Sequence, residues 1–430
     1  MDVAPRFEPF SPSSSPTALD VQDSLSAYRE RFNLPTDRHG NAKIYLCGNS
    51  LGLQPKTVKP YVEQELEDWA NLGVEGHFHA TRPWLSYHER LTAQTARLVG
   101  AQPIEVVVMN TLTVNLHLML VSFYRPSTDR YKILIEADAF PSDRYAVVSH
   151  LKWHGLEPDD ALIELSPRQG ELVLRHEDIQ RFVDAHGASI ALIMLGGVNY
   201  YTGQSFDLPT LTRAGHAQGC VVGFDLAHAV GNVPLSLHDA EVDFAVWCSY
   251  KYLNAGPGSL AGCFVHERHA ERPDLPRFAG WWGHNKETRF DMPPAFDPMP
   301  GAEGWQLSNP PILPLAALRA SMDIFDTVGM ERIRAKSIQL TGYLESQLDP
   351  YVNDSISIIT PRDAQQRGAQ LSIRVTRQGH AIYERLTQTH VVCDWRQPDV
   401  IRVAPTPLYN TFTEVCQFAN CFGQAVNDLM

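Results

Sequence analysis

At 430 residues the chain is too long for one small core, and with 44% apolar and 20% charged residues it has the composition of a globular protein built as two domains, or as one large α/β domain with an appendage. A formal net charge of −13 argues against non-specific nucleic-acid binding and for a cytoplasmic molecule, while leaving room for a local cationic pocket. The seven cysteines are odd in number and lack C-x-x-C spacing, so they read as reduced thiols, and no apolar run is long enough to span a membrane.

The first residues, MDVAPRFEPFSPSSSP, lack the apolar core of a signal peptide and the arginines of a transit peptide, and read as a disordered leader. Residues 17–32 mix apolar and charged side chains at helical spacing. A short apolar run from Ile44 then breaks into Gly48, Asn49, Ser50 and Gly52, residues that tolerate tight turns. After Pro55, Val58, Val62, Leu66 and Trp69 recur on one face of a helix, a stripe that predicts core packing. The segment 73–84 has no periodicity and holds His77, His79, Arg82 and Trp84, which suggests a loop over a site. With His88 nearby, zinc stands as an alternative, although no further His or Cys pair recurs at ligand spacing.

Residues 106–109 form a strand-like run, and NTLTVNLHLML opens a helix capped by Asn110 or Thr111. Strand, polar turn and helix make an anion site, because the amides of Leu112 and Thr113 are unpaired at the helix start and the dipole favours a phosphate. Capping alone accounts for the same residues. Next, YKILIE (131–136) is a strand that turns through Ala139, Phe140, Pro141, Ser142 and Asp143 into another helix, with Phe140 placed to stack on a flat ring. Residues 189–195 form a buried strand closed by Gly196 and Gly197, and a helix at about 209–219 follows. Strands and helices therefore alternate, which predicts a mostly parallel sheet with helices on both faces and ligands at the carboxyl ends of the strands.

The stretch 221–258 carries the chemistry. One apolar run stops at Asp225, with Ala227, His228 and Gly231 in the turn beyond it. A second run, 244–248, is followed by Ser249, Tyr250, Lys251 and Tyr252. A carboxylate at the end of a buried strand needs a cationic partner. A lysine between two tyrosines after such a strand is partly desolvated, where an amine becomes a usable nucleophile near neutral pH. Pyridoxal phosphate needs this pair: its aldehyde condenses with a lysine, and its ring nitrogen is kept protonated by a buried Asp. Taken singly, Asp225 is also explained as a cap and Lys251 as a snorkelling surface residue.

Beyond the lysine, 260–265 is a strand, GWWGH (280–284) is an aromatic loop, and GWQLSNPPILP (304–314) is extended by its prolines. The domain boundary is placed near Leu307. The tail reads as an α+β domain with strands at 370–375 and 400–403 and helices at about 333–348, 381–388 and 413–429. There Arg402 sits in a strand, able to fork to a carboxylate or to a structural ion-pair partner.

The motifs GNSLGLQPK (from Gly48), RPW (from Arg82), MNTLTVNLHL (from Met109), AFPSD (from Ala139), GFDLAHAVGN (from Gly223), WCSYKYLNAG (from Trp247), SNPPIL (from Ser308) and IRVAPTPLYN (from Ile401) stand in the order found in one family. The chain resembles kynureninase, in its eukaryotic form, over almost its whole length. The resemblance implies a fold type I pyridoxal phosphate-dependent transferase-like architecture: an N-terminal segment (1–60) near the small domain, a large cofactor-binding domain (61–306) and a small C-terminal α+β domain (307–430). It implies a cytoplasmic homodimer that hydrolyses L-3-hydroxykynurenine and L-kynurenine to L-alanine and the matching anthranilate, with no metal. By similarity Lys251 carries the Schiff base and moves the α proton, and Asp225 holds the ring nitrogen. Phe140 stacks, and Leu112, Thr113, Tyr250 and Trp281 meet the phosphate. Pro141, Ser142, Asp143, His228 and Asn309 sit around the cofactor, and Tyr250 is also a candidate acid/base. Ser50, His77 and Asn309 meet the aromatic substrate, and Arg402 binds its α-carboxylate. Relatives offer a serine where this chain has Gly196, so that phosphate contact is expected to be absent. The competing readings are a cysteine desulfurase or selenocysteine lyase, which would need a mobile catalytic cysteine, and a non-catalytic binding module on the same fold.

Overall fold

A computed structural model describes residues 15–272 and 274–430. The leader expected to be disordered falls mostly outside them. Two compact units emerge: one of Thr57–Asn199 with Phe206–Thr327, the other of the described residues up to Lys56 with Tyr200–Ser205 and Val328–Met430. Among the described residues no helix is long and apolar enough to cross a membrane.

The larger unit is built on seven strands: β1 (Val106–Met109), β2 (Lys132–Glu136), β3 (Leu162–Leu165), β4 (Ile190–Gly196), β5 (Val221–Asp225), β6 (Phe244–Cys248) and β7 (Ala261–Val265). They lie in the order β1-β7-β6-β5-β4-β2-β3. Neighbours are parallel except for β7, which runs antiparallel to both β1 and β6. The reason is legible in the strands, near-continuous Val, Ile, Leu and Phe runs that stay buried, as strands covered on both faces must. Between them run the helices Leu112–Phe123, Pro141–Trp153, His176–His186 and Leu208–Ala217. The last is capped by Asp207, whose Oδ1 accepts the Thr210 amide at 3.1 Å. Phe123, Phe244 and Trp305 stack in the core, with Phe123 5.1 Å from Phe244 and 6.2 Å from Trp305 between centroids.

Three sequence expectations change. The helix at 17–32 is interrupted: Pro16–Gln22 ends at Asp23, whose Oδ1 accepts the Leu25 amide at 2.8 Å, and a 3-10 turn Ser26–Arg31 follows. The aperiodic segment 73–84 contains short helical turns, Gly73–Glu75 and Gly76–His79. The helix Val58–Leu72 forms, but its apolar stripe does not face the core. Trp69 is 61% exposed and Leu66 is exposed beside it, while Glu65 and Asp68 are buried. The carboxylates win the inner face because they satisfy donors there: Glu65 accepts Trp84 Nε1 at 3.0 Å and Tyr87 Oη at 2.9 Å, and Asp68 accepts the Thr81 amide at 2.9 Å.

The helix Ile312–Val328 packs within the larger unit. Asp323 accepts from Tyr61 Oη at 2.8 Å and Gln94 at 3.0 Å, and Ser321 Oγ donates to the Leu253 carbonyl. The compact units therefore part at Val328, where the sequence places its boundary near Leu307.

The smaller unit has a four-stranded antiparallel sheet of β8 (Ile356–Ile358), β9 (Leu371–Val375), β10 (Asp394–Arg396) and β11 (Val400–Val403), in the order β10-β11-β9-β8. Its core joins Ile373, Ile401 and Val403 of the sheet to Leu340 and Leu344 of the helix Met330–Leu348, and to Phe418 and Phe422 of Phe412–Leu429. That last helix starts with a capping box in which Thr411 Oγ1 accepts the Glu414 amide at 3.1 Å and Glu414 accepts the Thr411 amide.

Candidate active site

The carboxyl ends of the adjacent parallel strands β2, β4, β5 and β6 carry Glu136, Gly196, Asp225 and, three residues past Cys248, Lys251. In the register Gly196 pairs with Asp225, and Asp225 with Val246. Asp225 is 8% exposed, and its Oδ1 accepts the Ala227 amide at 2.6 Å. Burial raises its pKa above the ordinary carboxylate value, and Lys251, the Ala227 amide and Asp143 work in the opposite direction. Asp143 lies in the first turn of Pro141–Trp153 and is hydrogen-bonded to Asp225. Burial, then the charge of Asp225, pushes Asp143 well above its ordinary value. Glu136, buried at the end of β2, is pushed up to about 7, first by burial.

Lys251 Nζ stands 5.7 Å from the ring centroid of Phe140 and 5.8 Å from that of Tyr250. Phe140, the cap residue of Pro141–Trp153, is 42% exposed. Burial, then Cys248, raises the Tyr250 phenol, which shares a hydrogen bond with the Cys248 thiol and so stays protonated at neutral pH. His228 is buried, edge-on to Tyr252 at 6.3 Å, and its carbonyl accepts from Asn232 at 2.8 Å.

Two helix starts meet here. Thr113 Oγ1 and Ser142 Oγ are hydrogen-bonded at 2.8 Å, tying the first turn of Leu112–Phe123 to that of Pro141–Trp153. Neither Thr111 nor Phe140, the cap residues, fills its helix start with a side-chain hydrogen bond. Asn110 has φ 48°, a left-handed conformation that Asn tolerates, and its carbonyl accepts the Ala261 amide at 3.0 Å, which fixes the turn against β7. Capping therefore does not account for the polar residues at 110–113, and their N–H groups suit an anion.

The structure thus brings Leu112, Thr113, Phe140, Pro141, Ser142, Asp143, Asp225, His228, Tyr250 and Lys251 onto one edge of one sheet and its helix starts. Trp281 is half-exposed in the aromatic turn Trp281–Gly283, and its indole N–H donates to the Arg289 carbonyl at 3.1 Å. Asn309 is exposed in the proline-rich connection. His77 lies in Gly76–His79, edge-on to Trp84 at 5.5 Å. His79 pairs with Glu75 and His88 with Glu303, so His77, His79 and His88 take separate partners.

Ser50 and Arg402 belong to the smaller unit. Ser50 sits in the turn after Gly48, where a Cβ would stand 2.4 Å from Thr406 Oγ1, so only glycine lets these segments approach. Arg402 is 1% exposed on β11. Its Nε donates to Asp394 Oδ1 at 2.7 Å, one terminal nitrogen to Asp394 Oδ2 and the other to the Tyr200 carbonyl at 2.6 Å. Sequence reasoning missed Asp394 and Glu136, although each is a carboxylate at the edge of an apolar run, the signal that singled out Asp225.

Residues 333–422 match the kynureninase C-terminal domain. The kynureninase of Myxococcus xanthus is 60% identical over 400 residues, covering 93% of this chain and 94% of its own. That of Koribacter versatilis is 59% identical over 409 residues, covering 95% and 96%. The chain belongs to the kynureninase family. It is a hydrolase of that family and depends on pyridoxal phosphate. The motifs point to the eukaryotic form, whereas these kynureninases are bacterial. Solved structures with the same fold include the cysteine desulfurase of Thermococcus onnurineus (TM-score 0.74, 17% identity, 90% of this chain and 95% of that one) and CsdA of Escherichia coli (TM-score 0.76, 16% identity, 95% and 99%).

At such identity those neighbours share the fold alone. Five cysteines are buried, and Cys416 and Cys421 are half-buried within a helix, so none stands exposed as the mobile cysteine of the desulfurase reading would. The residues present fit pyridoxal phosphate. Asp143 Oδ1 and Glu136 Oε2 are buried without a hydrogen-bond partner, and Asp143 and Asp225 share the ammonium of Lys251, so the site lacks positive charge where a pyridinium N–H would bring it.

Proposed function

We propose that this enzyme uses water to cleave the Cβ–Cγ bond of L-3-hydroxykynurenine and L-kynurenine, releasing L-alanine and 3-hydroxyanthranilate or anthranilate, in tryptophan degradation and NAD synthesis. The observation that carries this reading is Asp225 and Lys251 at the ends of adjacent parallel strands, beside two helix starts that no side chain caps. When bound, pyridoxal phosphate supplies an aldehyde for the substrate amine and a sink for the electrons of the α carbon.

The rest falls to the chain. Lys251 Nζ holds the cofactor and carries the α proton, and Asp225 keeps the ring nitrogen protonated. The exposed face of Phe140 packs on the ring. The amides of Leu112 and Thr113 bind the phosphate with Tyr250 and Trp281, while Pro141, Ser142, Asp143, His228 and Asn309 line the cofactor. Tyr250, held protonated by burial, is a proton donor near the γ carbon. Ser50, His77 and Asn309 meet the aromatic amine. Arg402, aligned by Asp394, takes the α-carboxylate with the donors left on its two terminal nitrogens, since three of the five guanidinium N–H groups are engaged.

The enzyme acts as a cytoplasmic homodimer in this reading. The outward stripe of Val58–Leu72, continuing into exposed Val74 and Phe78, supports a second copy as its cover. Incubation of the cofactor-loaded enzyme with each kynurenine, with alanine and the matching anthranilate quantified by chromatography, tests the assignment. Equimolar products support it, and the ratio of kcat/KM values ranks the substrates. Bound cofactor with neither substrate cleaved refutes it.

A further inference from the structure

Glu136 has no part in the reading above, yet it is buried at the carboxyl end of β2, on the same edge as Asp225. Between them lies β4, which ends at Gly196, the residue in register with Asp225. A Cβ built on Gly196 would stand 3.1 Å from Glu136 Oε1, tighter than nine in ten real Cβ contacts, so the carboxylate would have to shift by a few tenths of an ångström. Gly196 continues a regular strand and has no positive φ, so backbone freedom does not explain the glycine. Its missing side chain is what lets the Glu136 carboxylate lie across the end of β4. One carboxylate oxygen, Oε2, is buried there without a partner.

We propose that Glu136 is a positioning residue for the pyridoxal site: its carboxylate crosses the bare Gly196 to stand behind Asp225, and it gives up a proton as the ring nitrogen of the cofactor docks on Asp225. This rests on the assignment of Asp225 to that nitrogen. The charged groups facing Glu136 are Asp225 from β5 and Asp143 from the helix start, both of which interact in turn with Lys251, and the neutral side chain of Asn199 is hydrogen-bonded to Glu136. Burial, with Asp225 adding to it and Asn199 opposing it, places the titration of Glu136 near neutrality, at about 7. A pyridinium N–H at Asp225 adds positive charge beside it and favours the ionised carboxylate. Binding then releases a proton, so cofactor affinity rises with pH through that window.

The test is the pyridoxal phosphate dissociation constant of the full chain, stripped of cofactor and titrated by absorbance between about pH 5.5 and 8.5, for wild type, Glu136→Gln and Gly196→Ala. The expected result is equal affinities at the acid end and a wild-type advantage growing to about tenfold at the alkaline end, the equivalent of one pKa unit. Gly196→Ala, which keeps the carboxylate but displaces it, should lose the same pH dependence. If Glu136→Gln does not fold, Gly196→Ala decides between the same two results. A wild-type-to-variant ratio that stays constant across pH overturns the proposal. Asp225→Ala is the control: unchanged affinity there removes the assignment of Asp225, whereas weakened affinity there with a constant ratio for Glu136→Gln removes only the role of Glu136.

Discussion

Replacing Asp394 with Ala tests the anchoring of Arg402. The guanidinium is buried, and Asp394 supplies two of its three acceptors, with Tyr200 supplying the third. Charge-assisted hydrogen bonds are worth about 1.5–3 kcal/mol each, and breaking a buried ion pair by removing one partner costs about 3–5 kcal/mol. Asp394→Ala should therefore destabilise the protein by about 3–5 kcal/mol, a large share of an ordinary stability of roughly 5–15 kcal/mol. Asp394→Asn keeps one acceptor oxygen and should lose about half as much. Urea denaturation followed by circular dichroism reads this term. A guanidinium free to leave its position also binds a substrate carboxylate less well, so KM should rise roughly ten- to a hundredfold with a smaller fall in kcat, each decade being about 1.4 kcal/mol. Arg402→Lys, a point charge without the fork, should raise KM similarly. A lowered denaturation midpoint with wild-type KM in both variants would reduce Arg402 to a structural ion pair and refute its role in binding. An unchanged midpoint in Asp394→Ala would refute the energetic argument.

Lys251→Ala should abolish turnover and leave the circular dichroism spectrum intact; a normal steady-state rate in that variant ends the proposed mechanism. Thr113→Val removes the hydroxyl that meets Ser142 at 2.8 Å while keeping the shape, and should weaken cofactor binding by about tenfold while costing the cofactor-free protein only about 1 kcal/mol of stability. Equal cofactor affinity would separate this hydroxyl from the phosphate site. Asp243 gives a pH prediction. Burial alone would raise its pKa, but hydrogen bonds from His216 and His269 at 2.9 Å, together with Arg268 at 2.6 Å, hold it far below the carboxylate range. A folded value below the unfolded one stabilises the protein above about pH 4 and loses that stability as pH falls further. Asp243→Asn should therefore cost about 3 kcal/mol at pH 7, with the gap from wild type narrowing only below about pH 4 in urea titrations. A gap that narrows on the alkaline side instead contradicts the sign.

The alternation of strands and helices was legible because strands of a parallel sheet are buried on both faces and leave unbroken apolar runs, as at 190–195 and 244–248. The site lay at the ends of those runs, so Asp225 and Lys251 stood out as polar residues where apolar ones stopped. Periodicity misled at Val58–Leu72, where Trp84, Tyr87 and Thr81, far along the chain, offered donors that drew Glu65 and Asp68 inward and turned the apolar stripe out. A hydrophobic pattern carries no information about such distant donors. Glu136 escaped for a related reason. Its carboxylate matters only beside Asp225, and that neighbourhood depends on the strand order β2-β4-β5 and on a glycine whose value lies in the side chain it lacks. Arg402 left two readings open, a fork to a ligand or to an ion-pair partner, and the structure supplies the partner in Asp394 eight residues earlier.

The same strand order explains why so much buried acid is tolerable at this edge. β1 and β2 lead within a few residues into the helices that start at Leu112 and Pro141, so two positive dipole ends lie at this edge near the buried acids. That leaves the site with two unlike needs: two helix starts without side-chain caps, which favour an anion, and a set of carboxylates with one lysine, which favours a cation. Pyridoxal phosphate is a ligand with those two ends. A phosphate placed at the carboxylates would meet three acids, and a pyridinium placed at the helix starts would meet positive dipole ends, so reversing the cofactor sets like charges together twice. In the proposed site charge therefore favours one orientation of the cofactor before any shape is considered, with Lys251 the residue proposed to meet the aldehyde.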